Sequence, residues 1–340
     1  MCASMSSQPQ PTFEPIFETL NAFQRSAALK SAIELDLFTA IGEGANTAAA
    51  IAKKCSAAER GVRILCDYLV IIGFLTKHNS QYGLTPDSAM FLDRRSPDFM
   101  GTVANFLTAP NVVDAYKDLT ASVRQGGTVV RDSALAPEHP MWVEFARSMA
   151  PMMALPARSL AELLNARSGD RWKMLSIAAG HALFGINILQ QNPKAELTVV
   201  DWPNVVMVAH DNARQAGVAE RFHALPGSAF EVDYGSGYDL VLLMNFLHHF
   251  DPATNQKLLR KVNAALSPGG RVVALEFVPN EDRISPRIAA SFSMIMLGTT
   301  PAGDAYTYRE LQEMFRNAGF LRCEIQPLTP GVQHVVIAHK

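Results

Sequence analysis

The segment from residue 171 to residue 201 constrains the fold more than any other part of this sequence. An apolar strand, Met174–Ile177, runs into a turn of small residues, Ala178–Ala182, and a helix follows over Leu183–Gln191. A second apolar strand, Leu197–Val200, ends on Asp201. Small turn residues let the backbone approach a ligand closely, and an acidic residue about 20 residues further on can accept hydrogen bonds from a ribose diol. The segment predicts half of a nucleotide-binding βαβ unit that holds an adenosine-containing cofactor; the alternative for Asp201 is a helix N-cap.

The rest of the second half also alternates between strand and helix. This pattern predicts an α/β domain with a doubly wound, mostly parallel sheet, whose ligand lies beyond the carboxyl ends of the strands. The predicted strands are Lys173–Ile177, Leu197–Val200, Phe222–Ala224, Tyr238–Met244, Arg271–Phe277, Leu321–Gln326 and Gln333–His339. The predicted helices are Leu183–Gln191, Asn204–Ala216, Asn255–Ala265 and Tyr308–Ala318.

The residues up to about 100 have mostly helical periodicity. The predicted helices are Phe13–Phe38, Thr47–Lys54 and Ala57–Ile72, and the predicted hairpin strands are Phe74–Lys77 and Gln81–Thr85. Ser56 followed three residues later by Glu59 predicts a capping box at the start of the third helix. Helices followed by a hairpin are typical of a winged helix.

A winged helix raises the question of DNA binding. Residues 27–90 contain six Lys or Arg and six Asp or Glu, whereas a groove-binding module carries a basic face for the phosphates. The helix that would enter the groove contains Ile64, Leu65 and Leu69, which suit burial against a partner. The first domain is therefore predicted to serve dimerisation, with no nucleic-acid partner.

Composition supports a globular protein with two main domains and no membrane partner. The chain has 340 residues, a net charge of −2 and four cysteines without metal-ligand spacing, so we expect a cytoplasmic protein with no metal site. The predicted divisions are a disordered tail (1–12), a winged-helix dimerisation domain (13–100), a helical linker and substrate-pocket region (101–165) and a cofactor-binding domain (166–340).

Two classes of adenosine cofactor fit the turn after the first strand. Gly180, Ala182 and Gly185 imitate a dinucleotide fingerprint with its second glycine replaced. That glycine lets the backbone touch a pyrophosphate, and the Cβ of Ala182 is expected to obstruct this approach. S-adenosylmethionine has no pyrophosphate, so it is favoured over a nicotinamide dinucleotide.

Several short motifs, in order along the chain, carry a family resemblance. They are Ser176–Ala182, Val200–Pro203, Pro226–Phe230, Asn245–Asp251 and Ser267–Gly270, preceded by Ile33–Phe38 in the first domain. With them, the chain resembles class I S-adenosylmethionine-dependent methyltransferases. As a whole it is similar to small-molecule O-methyltransferases of the plant caffeate/flavonoid, hydroxyindole and bacterial polyketide type. The resemblance implies a Rossmann-like methyltransferase sheet, an N-terminal winged-helix dimerisation domain and a homodimer.

The resemblance also implies a set of cofactor contacts, together with departures from the family pattern. Serine stands at 176 and 228 and alanine at 182, where the family usually has two acidic residues and a glycine. Loss of charge-assisted hydrogen bonds predicts weaker cofactor binding. The implied contacts come from Ala178, Ala179, Gly180, Asp201, Trp202, Ser228, Ala229, Phe230 and Asn245.

His248 is the predicted general base, because it follows the strand Tyr238–Met244 and aligns with the family's catalytic histidine. An imidazole suits removal of a phenolic proton. Its neighbour His249 stands where the family has an aspartate, so a choice between the two histidines remains. By resemblance, Glu276 would orient the base. A second family carboxylate is missing near Ala305, with Asp304 as a possible substitute.

The predicted function is S-adenosylmethionine-dependent methyl transfer to a hydroxyl of a small aromatic or polyketide-like molecule. The main alternative is a homologue that binds the cofactor without methylating, and a winged-helix regulator and a nicotinamide-linked dehydrogenase are weaker alternatives. An apolar slot for the acceptor is predicted, although core packing would explain the same residues. The slot residues are Phe145, Met149, Met153, Phe292 and Met294.

Overall fold

A computed structural model of the chain describes residues 11–130, 138–168, 170–329 and 331–340. They fall into two compact units, which divide between Ala104 and Asn105. Apart from its last two residues, the tail predicted over 1–12 lies outside the described residues. The finer division of the chain at residues 100 and 165 stays a prediction.

The described part of the first unit is helical and carries a β-hairpin. The long helix predicted over Phe13–Phe38 is broken twice, first after Leu20 and again at Asp36, whose backbone is left-handed (φ 56°). Thr47 caps a helix by accepting the amide N–H of Ala50, as its position predicts. The predicted capping box at Ser56 is wrong, because the helix begins at Glu59 and Ser56 is itself left-handed (φ 50°). The helices are α1 (Glu14–Leu20), α2 (Phe23–Glu34), α3 (Leu37–Gly42), α4 (Ala48–Lys54), α5 (Glu59–Ile71) and α6 (Pro86–Phe91), and the hairpin strands are β1 (Leu75–His78) and β2 (Gln81–Leu84).

The second unit is built on a seven-stranded sheet within the described residues, in the order β5-β4-β3-β6-β7-β9-β8. Strands β3 to β7 are parallel, and β9 runs antiparallel between β7 and β8. The strands are β3 (Lys173–Ile177), β4 (Glu196–Asp201), β5 (Phe222–Pro226), β6 (Tyr238–Met244), β7 (Leu266–Glu276), β8 (Arg322–Pro327) and β9 (His334–His339). The helices are α7 (Val103–Leu107, which spans the division between units), α8 (Pro110–Asp114), α9 (Leu119–Gln125), α10 (Met141–Leu163), α11 (Leu183–Gln191), α12 (Pro203–Gln215), α13 (Pro252–Ala265), α14 (Arg287–Thr299) and α15 (Tyr308–Asn317).

The sheet separates two apolar cores, because alternate side chains of each strand point to opposite faces. On β3, Met174 packs into one core and Leu175 and Ile177 into the other. Both faces are covered by helices, as expected for parallel strands that are apolar throughout. The predicted α/β sheet is confirmed, and the helix Leu183–Gln191 and the strands β3 and β6 have their predicted bounds.

The strand order reverses at β3, which lies between β4 and β6. In doubly wound sheets such a reversal leaves a crevice beyond the carboxyl ends of the strands. The turns after β3, β4 and β6 therefore open onto one edge of the sheet, where the functional residues lie.

Candidate active site

A cavity of about 450 Å³ lies at this edge of the sheet. Its wall combines aromatic side chains with few polar groups, which is the usual composition of a small-molecule site. It contains two carboxylates and, among the described residues that line it, no lysine or arginine. The lining residues are Trp142, Phe145, Ala178, Gly180, Val200, Asp201, Trp202, Val205, Gly227, Ser228, Ala229, Phe230, Glu231, Met244, Asn245, Phe246, His249 and Phe250.

The turn after β3 has an unusual backbone. Ala178, Gly180 and Ala182 are all left-handed, with φ of 51°, 56° and 57°. A Cβ on Gly180 would lie 3.8 Å from the ring of Phe145, so the turn passes close beneath α10. Ala182 is buried in the core rather than lining the cavity. The expectation that its Cβ obstructs a ligand is therefore wrong, and the strain of its left-handed backbone is the remaining reason for a glycine there.

Asp201 ties this turn to β4. Its Oδ2 accepts the amide N–H of Gly180 and its Oδ1 accepts that of Trp202, both at 2.8 Å. Burial raises the pKa of the Asp201 carboxyl to about 6, although these two N–H groups favour the charged form. The helix-cap alternative is wrong, because α12 begins at Pro203 with Trp202 in the cap position. Each carboxylate oxygen keeps a lone pair for a ligand.

The loop after β5 forms another wall of the cavity. The amide N–H of Phe230 donates to Ser228 Oγ (3.2 Å). Lys261 on α13 donates its ammonium to the carbonyl oxygens of Ala229 (3.3 Å) and Phe230 (3.0 Å). The ring of Phe230 meets that of Phe250 edge to face, with centroids 5.0 Å apart. A flat, apolar ligand group fits between such rings.

The residues that follow β6 form a short turn, residues 246–250, which we call the histidine turn. Inside it, His248 Nδ1 lies 2.6 Å from Glu276 Oε2, and both side chains are buried. Glu276 Oε1 also accepts the amide N–H groups of Phe246 (3.0 Å) and Leu247 (2.8 Å). Because Glu276 acts as an acceptor in this network, the proton of His248 is assigned to Nδ1, which leaves a lone pair on Nε2.

His249 occupies a different environment from His248. It lines the cavity, and its ring packs edge to face on Trp142 with centroids 5.5 Å apart. Burial, with the charge of neighbouring His248 as a smaller cause, holds the pKa of His249 well below its usual value, so this ring stays neutral. Its Nδ1 is buried without a hydrogen-bond partner among the described residues.

The cofactor residues expected from the sequence, except the buried Ala179, all line this cavity. Asn245 is left-handed (φ 56°), and its side-chain oxygen accepts a hydrogen bond from Gln333. Sequence reasoning did not assign Val205, Glu231, Met244, Phe246 or Phe250 to the site. Phe246 and Phe250 lie inside the Asn245–Asp251 motif, and that position was the available signal.

Of the expected acceptor residues, only Phe145 lines the cavity. Met149 and Met153 are buried on α10, and Met153 packs in the core beside the sheet. Phe292 stacks on Phe277 (centroids 4.1 Å apart) and meets the ring of His248 edge to face at 4.8 Å. Met294 is 48% exposed on α14. The structure does not bring these residues together in one slot.

The sequence has Ala305 in place of the family's second carboxylate, and the side chain of Ala305 is fully buried. Asp304 does not substitute for it, because its Oδ2 pairs with the guanidinium of Arg283 at 3.2 Å. Within the described part of the chain, Glu276 is the carboxylate that bonds His248.

Comparison with known proteins decides the family. The chain matches the O-methyltransferase domain over residues 116–321, more than half of its length, and the O-methyltransferase dimerisation domain over residues 17–94. The chain belongs to the O-methyltransferase family. This confirms the predicted family and the predicted enzyme class, an S-adenosylmethionine-dependent O-methyltransferase.

Individual relatives match nearly the whole O-methyltransferase chain. It is 28% identical to 3-hydroxy-5-methyl-1-naphthoate 3-O-methyltransferase of Streptomyces sahachiroi, across 93% of this chain and 92% of that protein. The crystal structure of a candidate O-methyltransferase from Nostoc punctiforme is 52% identical with a TM-score of 0.95, and the match covers 97% of this chain and all of that one. Human N-acetylserotonin methyltransferase in complex with S-adenosylmethionine shares the fold (22% identity, TM-score 0.82, 99% of each chain). No helix of the described residues is both long enough and apolar enough to cross a membrane.

Proposed function

We propose that this O-methyltransferase transfers the methyl group of S-adenosylmethionine to a hydroxyl of a small aromatic or polyketide-type molecule, with His248 as general base. The observation that carries the proposal is the buried contact of 2.6 Å between His248 Nδ1 and Glu276 Oε2, next to the cavity. The relatives support the acceptor class: one is named for a hydroxynaphthoate, and another, 26% identical, for tetracenomycin polyketide synthesis in Streptomyces glaucescens.

The cavity fits the cofactor of this family. S-adenosylmethionine supplies a methyl group on a positively charged sulfur, which is already activated for transfer. A wall with Asp201 and Glu231 and no described lysine or arginine suits that charge, and gives no counter-charge for the pyrophosphate of a dinucleotide. The free lone pairs of Asp201 suit a ribose diol, and the rings of Phe230 and Phe250 suit an adenine.

The role of the histidine turn follows from its hydrogen bonds. Glu276 holds the proton on Nδ1, so His248 Nε2 can take the proton of the acceptor hydroxyl. As the oxygen forms its bond to the methyl carbon, the carbon–sulfur bond breaks and its electron pair stays on sulfur. His248 then passes the proton to solvent. A positioned base typically contributes about 10²–10⁴-fold, and alignment of the reactants contributes about 7–11 kcal/mol.

His248→Gln tests the assignment of the base, with exposed His210→Gln as a control for loss of a histidine. The assay uses the best acceptor from a panel of phenols together with its ring-nitrated analogue, whose hydroxyl ionises at mildly alkaline pH without a base. We expect turnover of the plain phenol to fall about 10²-fold or more, turnover of the nitrated analogue to fall much less, and calorimetric cofactor affinity to be unchanged.

His249→Gln separates the two histidines. If His249→Gln loses the plain phenol selectively and His248→Gln does not, the assignment is reversed. If neither variant lowers turnover of the plain phenol more than turnover of the nitrated analogue, neither histidine is the base.

We also infer a homodimer formed through the first domain, which matches the family's dimerisation domain. Large apolar side chains on and beside α1 are 63–75% exposed, which is unusual for a free surface. They are Phe13, Ile16, Phe17, Leu20 and Phe23. Light scattering on Phe17→Ser and Leu20→Ser tests the interface: we expect monomers, and a dimer as tight as the unmodified one would contradict it.

A further inference from the structure

The backbone of the histidine turn is held from outside by residues 300–306, which we call the clasp. The amide N–H of Asp304 donates to the carbonyl oxygen of His248 at 3.0 Å. The hydroxyl of Tyr306 donates to the carbonyl oxygen of Phe250 at 2.5 Å. The clasp therefore contacts the turn at His248 itself and two residues later.

Gly303 makes the closest approach between the clasp and the turn. A Cβ at this position would lie 2.2 Å from the carbonyl oxygen of His248 and 3.0 Å from the carbonyl carbon of His249. These neighbours are backbone atoms, which cannot rotate away. The backbone of Gly303 is not left-handed, so conformational freedom does not require the glycine. Close contact with the histidine turn does.

Arg283 anchors the clasp. Its Nη1 lies 3.2 Å from Asp304 Oδ2, and its Nη2 pairs with Glu310 Oε1. Glu310 in turn closes the capping box of α15, because its Oε2 accepts the amide N–H of Thr307 at 2.9 Å. One guanidinium thus connects Asp304, whose amide holds His248, to the first turn of the next helix.

We propose that the clasp positions His248 for proton transfer, with Gly303 and Arg283 as positioning residues. This rests on the proposed role of His248 as the base. Ala305 leaves Glu276 as the carboxylate that holds the imidazole among the described residues, and Glu276 acts from the side of β7. The clasp fixes the main chain of the same residue from another segment, so that Nε2 keeps a single direction. A misplacement of about 1 Å at a reacting centre can reduce turnover about 10²-fold.

Of the two clasp variants, Gly303→Ala should reduce turnover more than Arg283→Gln does. We expect turnover of the plain phenol to fall about 10- to 100-fold, with little change for the nitrated analogue, since misplacing a base harms only the acceptor that needs one. Gly61→Ala is the matched control, because a Cβ there meets no atom within 4 Å. Calorimetric cofactor affinity should be unchanged in both variants.

Arg283→Gln tests the same idea without a steric clash, should Gly303→Ala fail to fold. We expect a loss of about 3- to 10-fold in kcat for the plain phenol, with KM little changed and with partial recovery in Arg283→Lys. Arg309→Gln is the control, since Arg309 forms a similar exposed ion pair with Glu281 (2.9 Å). A general loss of stability would reduce turnover of both acceptors alike.

The results separate this proposal from the previous one. If His248→Gln lowers turnover of the plain phenol no more than turnover of the nitrated analogue, the proposed base is wrong. A second result would keep the base but contradict the role of the clasp. In that case His248→Gln lowers turnover of the plain phenol selectively, whereas Arg283→Gln lowers turnover of both acceptors equally or of neither. Gly303→Ala, where it folds, would behave like Arg283→Gln.

Discussion

The two ends of the candidate active site are built in different ways. At the proposed cofactor end, the side chains are partly open to a ligand: Asp201 keeps free lone pairs, and Phe230 is 37% exposed. At the end of the proposed base, His248 and Glu276 are 4% and 3% exposed and are hydrogen-bonded to each other. The first end therefore offers hydrogen-bond acceptors to a ligand. At the second end, the side chains of the protein already bond each other.

This difference matches the two tasks. A bound cofactor brings its own hydroxyls and rings, which can supply the missing contacts when it arrives. A general base is part of the protein, and its side chain must be oriented by the protein before the reaction begins. Side chains of the protein accordingly hold the backbone of the histidine turn, and Asn255 Nδ2, for example, donates to the carbonyl oxygens of Leu247 (2.8 Å) and Phe250 (3.1 Å). Loss of a contact around His248 should therefore lower the rate of methyl transfer. Loss of a contact around Asp201 should lower the affinity for the cofactor.

Glu276→Gln should have the largest effect of the changes considered below. The effect should be on kcat and not on cofactor affinity. The amide oxygen of glutamine can keep the N–H groups of Phe246 and Leu247, which leaves its NH₂ group facing His248 Nδ1. Nδ1 must then accept, so the proton moves to Nε2 and blocks the base. We expect kcat for the plain phenol to fall about 10²-fold or more while cofactor affinity stays the same.

Glu281→Gln, at an exposed glutamate paired with Arg309, is the control for loss of a carboxylate. A weakened cofactor complex in Glu276→Gln, measured by calorimetry, would show that the two ends are not separate. Full activity would remove Glu276 from the orientation of His248.

Asp201 should give the next largest effect, on affinity, with a dependence on pH. The carboxylate form is the better acceptor for a ribose diol, so cofactor binding should weaken as pH falls through about 6, the raised pKa of this group. Asp201→Asn places a donor against the N–H of Gly180 or Trp202, and we expect a loss of about 1–3 kcal/mol in binding. It should also remove the pH dependence.

Stability should respond to the same group with the opposite sign. The pKa of Asp201 is raised from 3.8 to about 6 on folding, so between these values the folded chain holds more protons than the unfolded one. Its contribution to the free energy of unfolding is therefore largest at low pH and is lost as pH rises through this window. Calorimetric titration and urea unfolding at several pH values, with Asp201→Asn as the reference, measure both effects. Binding that strengthens as pH falls would contradict the assignment.

The sequence predicted which residues line the cavity at the proposed cofactor end better than it predicted the contacts around His248, for a physical reason. Asp201 and the turn after β3 lie at the ends of neighbouring strands, so the alternating pattern places them together. The Arg283 ion pairs and the approach of Gly303 to His248 join residues from segments that are far apart in the sequence. No periodicity predicts that these segments meet, so such contacts are visible only in the folded chain. The missed break at Asp36 is similar, because the apolar pattern continues across a single left-handed residue.

The smallest effect should come from Lys261, which supports the cofactor end indirectly. Its ammonium holds the carbonyl oxygens of Ala229 and Phe230 and lies 4.1 Å from the ring centre of Tyr234. Burial lowers the pKa of Lys261, but it remains the cation that fixes this loop. Lys261→Met keeps the length of the side chain and removes the donor. We expect a loss of about 0.5–1 kcal/mol in cofactor binding, a two- to fivefold weaker Kd, with kcat at saturating cofactor unchanged.

Lys257→Met, at an exposed position one turn earlier on α13, controls for loss of a charge on this helix. An equal effect in the two variants would mean that the net charge of the surface matters, and not the hold on the loop. A fall in kcat specific to Lys261→Met would mean that this loop also influences the histidine turn, through the contact of Phe230 with Phe250. The two ends of the site would then be coupled through this contact. A change in the loop after β5 would then affect the rate as well as cofactor affinity.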